Sequence, residues 1–203
     1  METKRLDFAE TFKDAFSIGV KNAPSIIAAI ALWLVTIWIP YLNVGTTIAI
    51  VLLPTELAKG NVVNPLGIFD GKYRRYMGEY FITMGLMVVP IFAGLLFGFI
   101  PAVVLSLSWS LAYYFLIEKG KNPIEAIKAS NDATYGSKWT MFGVSVVFGI
   151  ASTIVSSILS VICSLIDVGF ITFIVMLAFF ILVSSIAMAI NASYWKQLKD
   201  NVA

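Results

Sequence analysis

The chain has 203 residues, 59% of them hydrophobic and only 13% charged, with a net charge of +2 and no histidine. Soluble domains run at about 45–50% apolar and about 25% charged, so water is excluded as the solvent for most of this chain. The small net charge excludes an extended nucleic-acid footprint, and the missing histidine excludes Ser-His or Cys-His nucleophilic pairs, histidine-ligated haem and His-rich metal sites.

Taken in chain order, the first segment places Phe8, Phe12 and Phe16 at four-residue spacing, with Lys4, Glu10, Lys13 and Asp14 in other directions. This predicts an amphipathic helix that lies in the headgroup region or packs beneath the bundle. No cleavable leader is expected, because the apolar run that follows continues through Trp38-Ile39-Pro40-Tyr41 without an A-x-A-like site.

No charge occurs from Asn22 to Thr55. As one helix this run would measure roughly 51 Å at 1.5 Å per residue, against a hydrocarbon core of about 30 Å, so it must fold back. Pro40-Tyr41-Leu42-Asn43 with Gly45 supplies the expected break, giving helices near Pro24–Ile39 and Asn43–Ala58. The second uncharged run, Tyr80 to Ile117, divides at Gly98-Phe99-Ile100-Pro101 into helices near Tyr80–Gly98 and Ala102–Ile117, with Pro90 kinking the first. The last two runs flank Asp167 and predict helices near Trp139–Cys163 and Phe170–Tyr194.

The expected fold is therefore an all-α integral membrane domain over 1–203, with six transmembrane helices in three hairpins, each preceded by a cytoplasmic amphipathic or polar segment. Six spans put all fourteen lysines and arginines on one side and leave only Asp167 in the opposite loops. Basic flanks stay cytoplasmic, so both termini are expected there, in a plasma membrane. An internal threefold repeat, 1–60, 61–121 and 122–203, is suggested by Asn64-Pro65 recurring as Asn122-Pro123, Gly78 as Gly136 and Gly85 as Gly143 at one offset, with Phe81 matched by Trp139.

Asn122, Pro123 and Glu125 form a capping-box signature ahead of the fifth span. This stretch, Asn122-Pro123-Ile124-Glu125-Ala126-Ile127-Lys128-Ala129-Ser130 followed by Tyr135-Gly136-Ser137-Lys138-Trp139-Thr140-Met141-Phe142-Gly143, resembles a segment of uncharacterised bacterial polytopic membrane families. Among them is the membrane domain fused to some glycerophosphodiester phosphodiesterases. The resemblance implies a bacterial membrane protein; the phosphodiesterase catalytic domain is not in this sequence, so no catalytic residue carries over.

Two residue sets stand out for function. Ser145, Ser152, Ser156, Ser160 and Ser164, with Gly149, follow one face of the fifth span, which suits either close helix packing or a polar pathway. Lys72, Arg74 and Arg75, interleaved with Tyr73 and Tyr76, form the densest basic patch and suit anionic lipid headgroups. Glu56 and Glu118 each precede a membrane-exit lysine and are expected to form interfacial ion pairs. The lone Cys163 reads as a small buried residue.

No aspartate lies in a predicted span and no phosphate-cradling glycine motif precedes Lys-Ser or Lys-Thr, so no catalytic residue, metal or cofactor is assigned. The functional expectation is a non-catalytic accessory or scaffold module for a partner protein or lipid assembly, with membrane lipids, a protein partner or a second copy as its contacts. The alternative is a small transporter or channel for a neutral or amphiphilic solute, because ion-coupled transport calls for buried charge.

Overall fold

The computed structural model describes residues 4–60, 62–166 and 169–202, and these are all-helical apart from short connections. Helix α1 spans Phe8–Thr36 and α2 spans Pro40–Leu57. A 3-10 turn over Pro65–Phe69 leads to the short α3, Gly71–Arg75, and then to α4, Met77–Leu96. Helices α5, Phe99–Ser108, and α6, Ala112–Glu118, are followed by α7, Pro123–Ala133. The chain ends with two long helices, α8 over Lys138–Ile166 and α9 over Gly169–Leu198.

Among the described residues, five segments are long and apolar enough to cross a membrane: α1, α4, α5 with α6 (Phe99–Glu118), α8 (Lys138–Leu165) and α9. Helix α2 is not among them. Asn43, Thr46, Thr47, Thr55 and Glu56 dilute its apolar character, and half its residues are buried, among them Ile48, Leu52 and Leu57. A helix sheathed by its own protein can carry such polar groups where a lipid-facing one cannot, provided their bonds are satisfied. Here Thr46 and Thr36 share a 2.7 Å hydrogen bond across the hairpin, and Trp33 Nε1–H donates to Thr47 Oγ1 at 2.9 Å.

Three sequence expectations are corrected. The amphipathic segment and the first span are one helix, not two: α1 runs from its Asp7 cap, which accepts from Glu10 N–H, straight through Pro24. Pro24 lies on the exposed side, where losing one helical donor is tolerated. The first reversal comes earlier than expected, at residues 37–39, because Pro40 occupies the first turn of α2, where its missing N–H costs nothing. The expected helix Ala102–Ile117 is broken at residues 109–111.

The second hairpin turns where the sequence indicates, at Gly98, whose φ of 112° is one that glycine adopts without steric cost. The capping box of Asn122 and Glu125 is formed, with Pro123 in the first turn of α7. Asn64 is likewise followed by a proline and caps the 3-10 turn, but by accepting from Leu66 N–H without a capping box, and the paired Gly78 lies inside α4 while Gly136 takes a φ of 78°. Asp167, expected in the outer loop, lies outside the described residues.

The core sits at the end of the molecule where the hairpins connect. Helix α9 lies antiparallel along α1, with Gly19 close enough to Ile186 that a Cβ would come within 3.0 Å of its Cα. Phe115 and Tyr114 of α6 pack edge-on against Trp195 of α9, at 5.0 and 5.7 Å between ring centroids. By contrast, the hairpin tips carry exposed apolar side chains: Leu34, Val35 and Trp38; Leu96, Phe97 and Ile100; Leu165 and Phe170. Such tips and sides match hydrocarbon and not water.

Candidate functional site

A cluster of ion pairs joins the last turns of α2 and α6 to α3. Lys59 forms an ion pair with Glu56 at 2.8 Å and reaches Glu118 at 3.7 Å, so one ammonium bridges two carboxylates far apart in sequence. Lys72 approaches the same Glu56 at 3.9 Å and lies 4.9 Å over the Tyr73 ring. Thr55 Oγ1–H donates to Glu118 Oε1 at 3.1 Å, fixing that carboxylate from below. The two glutamates singled out in the sequence thus meet at one cluster.

Local sequence explains why these groups converge. Gly60, with φ 83°, ends the turn after α2, and Asn22 Oδ1 accepts from Val63 N–H at 3.0 Å, holding the returning strand of chain against α1. Asn64 and Asp70 then cap two successive turns by accepting from Leu66 and Lys72 N–H, which aims α3 back along α2. Around these residues is a cleft of about 230 Å³, lined by Leu53, Glu56, Lys59, Asp70, Lys72 and Tyr73.

Electrostatics favours the charged form of the two lysines. The Lys59 pKa is raised, first by its hydrogen bond to Glu56 and then by the charge of Glu118, against the opposing effect of burial. Burial opposes the charge on Lys72 too, but the neighbouring Tyr73, Glu56 and Asp70 outweigh it and raise its pKa. Burial also pushes the Tyr73 phenol up, with Lys72 working in the other direction. With their carboxylates committed to lysines, these residues are arranged to bind the three elements together, and the cleft offers polar contact to a small ligand. Among the described residues no three His, Cys, Asp or Glu side chains are grouped to hold a metal ion.

The basic patch read from the sequence is divided. Lys72 is engaged with Glu56, the Arg74 stem lies against Gly45 of α2, and Arg75 is exposed. The serine row is divided as well. Ser145, Ser160 and Ser164 are exposed, whereas Ser152 and Ser156 are half-buried on the side that carries Phe148 and the buried Cys163. Ser145 and Ser164 donate to carbonyls of their own helix, those of Met141 and Val161.

Two polar junctions are not apparent from the sequence. Gln197, 3% exposed, accepts from Asp7 N–H and donates to Thr11 and Ser193, while Lys196 and Ser193 hold Asp14. The only local signal is that Thr11 and Asp14, and Ser193, Lys196 and Gln197, each share a helical face. In the second junction Ser130 of α7 fills the break between α5 and α6: its hydroxyl accepts from Leu111 N–H at 3.1 Å and donates to Ser108 O at 2.8 Å. No family model matches this chain, and no curated protein or solved structure shows significant similarity to it.

Proposed function

We propose that this chain is a non-catalytic polytopic membrane protein that serves as an accessory or scaffold module, docking a partner within the bilayer along α8. The observation that carries this reading is the bareness of that helix: only 6% of its most apolar stretch is buried within the chain. Ser145, Gly149 and Thr153 run along its exposed surface, with Val146, Ile150 and Ile154 beside them. Lipid tails solvate leucine as well as a neighbouring helix does, so association in a membrane depends on close backbone approach and hydrogen bonds, which small and hydroxylated residues allow. The partner is a membrane-embedded helix, of another protein or of a second copy.

The topology that accompanies this reading has six crossings with both termini cytoplasmic, in a bacterial plasma membrane, arranged as a triplicated hairpin unit. An even number of crossings is supported by the meeting of the chain ends: Lys4 N–H donates to Asn201 Oδ1 at 2.9 Å and Asn201 Nδ2 donates back to Lys4 O at 2.8 Å. On this reading α2 supplies a sixth crossing beside the five apolar segments, which keeps the two ends on one side. The cytoplasmic assignment rests on lysines at this end, where Lys119 reaches Asp200 and Lys196 reaches Asp14.

Photocrosslinking in intact cells tests the docking surface. A photoreactive residue at Ser145, Thr153 or Ser160 is expected to give a discrete protein adduct, and one at Val89 of α4, which is 69% exposed, is not. Lipid adducts alone at all four positions would overturn the reading. Topology is read separately in a Cys163→Ala background. An impermeant maleimide added outside is expected to label a cysteine at Tyr41 and to miss one at Val62.

A further inference from the structure

We propose that the groove between α5 and the first turns of α8 binds an anionic glycerophospholipid, with an acyl chain along its apolar wall and the phosphate on Lys138. The groove has a volume of about 330 Å³ and is walled by Phe99, Val103, Val104 and Leu107 of α5 and by Trp139 and Phe142 of α8. That volume falls within the roughly 300–1,000 Å³ usual for small-molecule sites. Its one charged wall residue is Lys138.

The charge on Lys138 is what selects the ligand. Its Nζ donates to the neutral Asn131 Oδ1 at 2.8 Å, and an ammonium has three donors, so the remainder point to a further acceptor. Lys59, Lys72, Lys119 and Lys196 each have a carboxylate within 4 Å, and among the described residues Lys138 has none. A half-buried lysine at the end of an apolar groove, between two helices, complements a phosphate whose chains lie in the groove. Trp139, 85% exposed and packed edge-on against Phe142 at 6.2 Å, stands at the rim as interfacial indoles do. The site requires only that α5 and α8 lie in a membrane, and it is independent of partner docking farther along α8.

The test uses the full chain reconstituted in vesicles of equimolar phosphatidylcholine and phosphatidylglycerol, then extracted into mild detergent for native mass spectrometry. The unsubstituted protein is expected to retain phosphatidylglycerol at least fivefold over phosphatidylcholine. Lys138→Gln is expected to abolish that preference and Lys138→Arg to keep it, while Arg75→Gln, at an exposed arginine outside the groove, leaves it intact. Val104→Trp, which fills the groove, is expected to lose both lipids. Should Val104→Trp fail to fold by circular dichroism, the exchange of one half-exposed lysine head group still decides the matter. Equal retention of the two lipids by the unsubstituted protein, or undiminished preference in Lys138→Gln, would overturn the proposal.

Discussion

The carboxamide of Asn22 joins α1 to a point forty-one residues farther along the chain, accepting from Val63 N–H at 3.0 Å while donating to Ile18 O at 3.0 Å. Both residues are buried, Asn22 at 1% exposure and Val63 at 9%. Replacing Asn22 with leucine keeps the bulk and leaves the Val63 N–H without a partner, a defect that costs about 1–3 kcal/mol. The expected outcome is a lower unfolding midpoint in detergent, with faster tryptic cleavage after Lys59. Unchanged cleavage would show that the connector is held by other contacts.

The Ser130 hydroxyl makes a comparable prediction at the break between α5 and α6. In Ser130→Ala the Leu111 N–H loses its acceptor, whereas Ser108 O keeps a 3.4 Å bond from Thr134 Oγ1. Hydrogen exchange is therefore expected to accelerate at the Leu111 amide, with a stability loss of about 1–3 kcal/mol. Adding Thr134→Val removes the remaining side-chain donor to Ser108 O, so the pair should lose more than the sum of the single changes. Strict additivity would mean that water already serves that carbonyl.

These two junctions also mark the limit of what could be read from the sequence. The apolar runs, the turn at Gly98 and the capping box at Asn122 were legible because each depends on residues close together in the chain. The merging of the Phe8–Phe16 segment with the first span was not, because proline usually signals a boundary and only the exposed placement of Pro24 makes it harmless. The break at residues 109–111 carries no proline or glycine; it exists because Ser130, nineteen residues after Leu111, takes over the backbone bonds. Glu56 and Glu118 could be singled out separately, but that a single Lys59 bridges them follows only from the folded connections.

The Lys59 bridge predicts a definite pH dependence. Its pKa is raised above 10.5 in the folded protein, so its contribution to stability is fully present below pH 10.5 and is lost as the pH rises through the folded value. Lys59→Met should therefore lower the unfolding midpoint by a constant amount from pH 7 to about pH 10, and the two proteins should converge above it. Because half of the lysine side chain is exposed, the difference should also shrink in high salt. A gap that persists at alkaline pH would assign the loss to packing of the lysine stem and not to its charge.

Two glycines offer a sharper contrast, because both are buried in helices and both face a close neighbour. At Gly19 an added Cβ would come within 3.0 Å of the Ile186 Cα and 3.2 Å of its N, so the obstacle is the backbone of α9. At Gly45 the clash is nominally worse, 2.6 Å from Arg74 Cγ, but the obstacle is a flexible side chain. A backbone can yield only by moving a whole helix, and overpacking of that kind costs about 1–3 kcal/mol. The arginine stem can swing aside into another rotamer, and alanine is the better helix former by roughly 0.8–1.0 kcal/mol. Gly19→Ala is therefore expected to destabilise the protein and to loosen the Asp14–Lys196 pair, while Gly45→Ala is neutral or mildly stabilising. Thermal unfolding of the two variants checks this directly, and destabilisation by both alike would mean that Arg74 is held as rigidly at α2 as Ile186 is in α9.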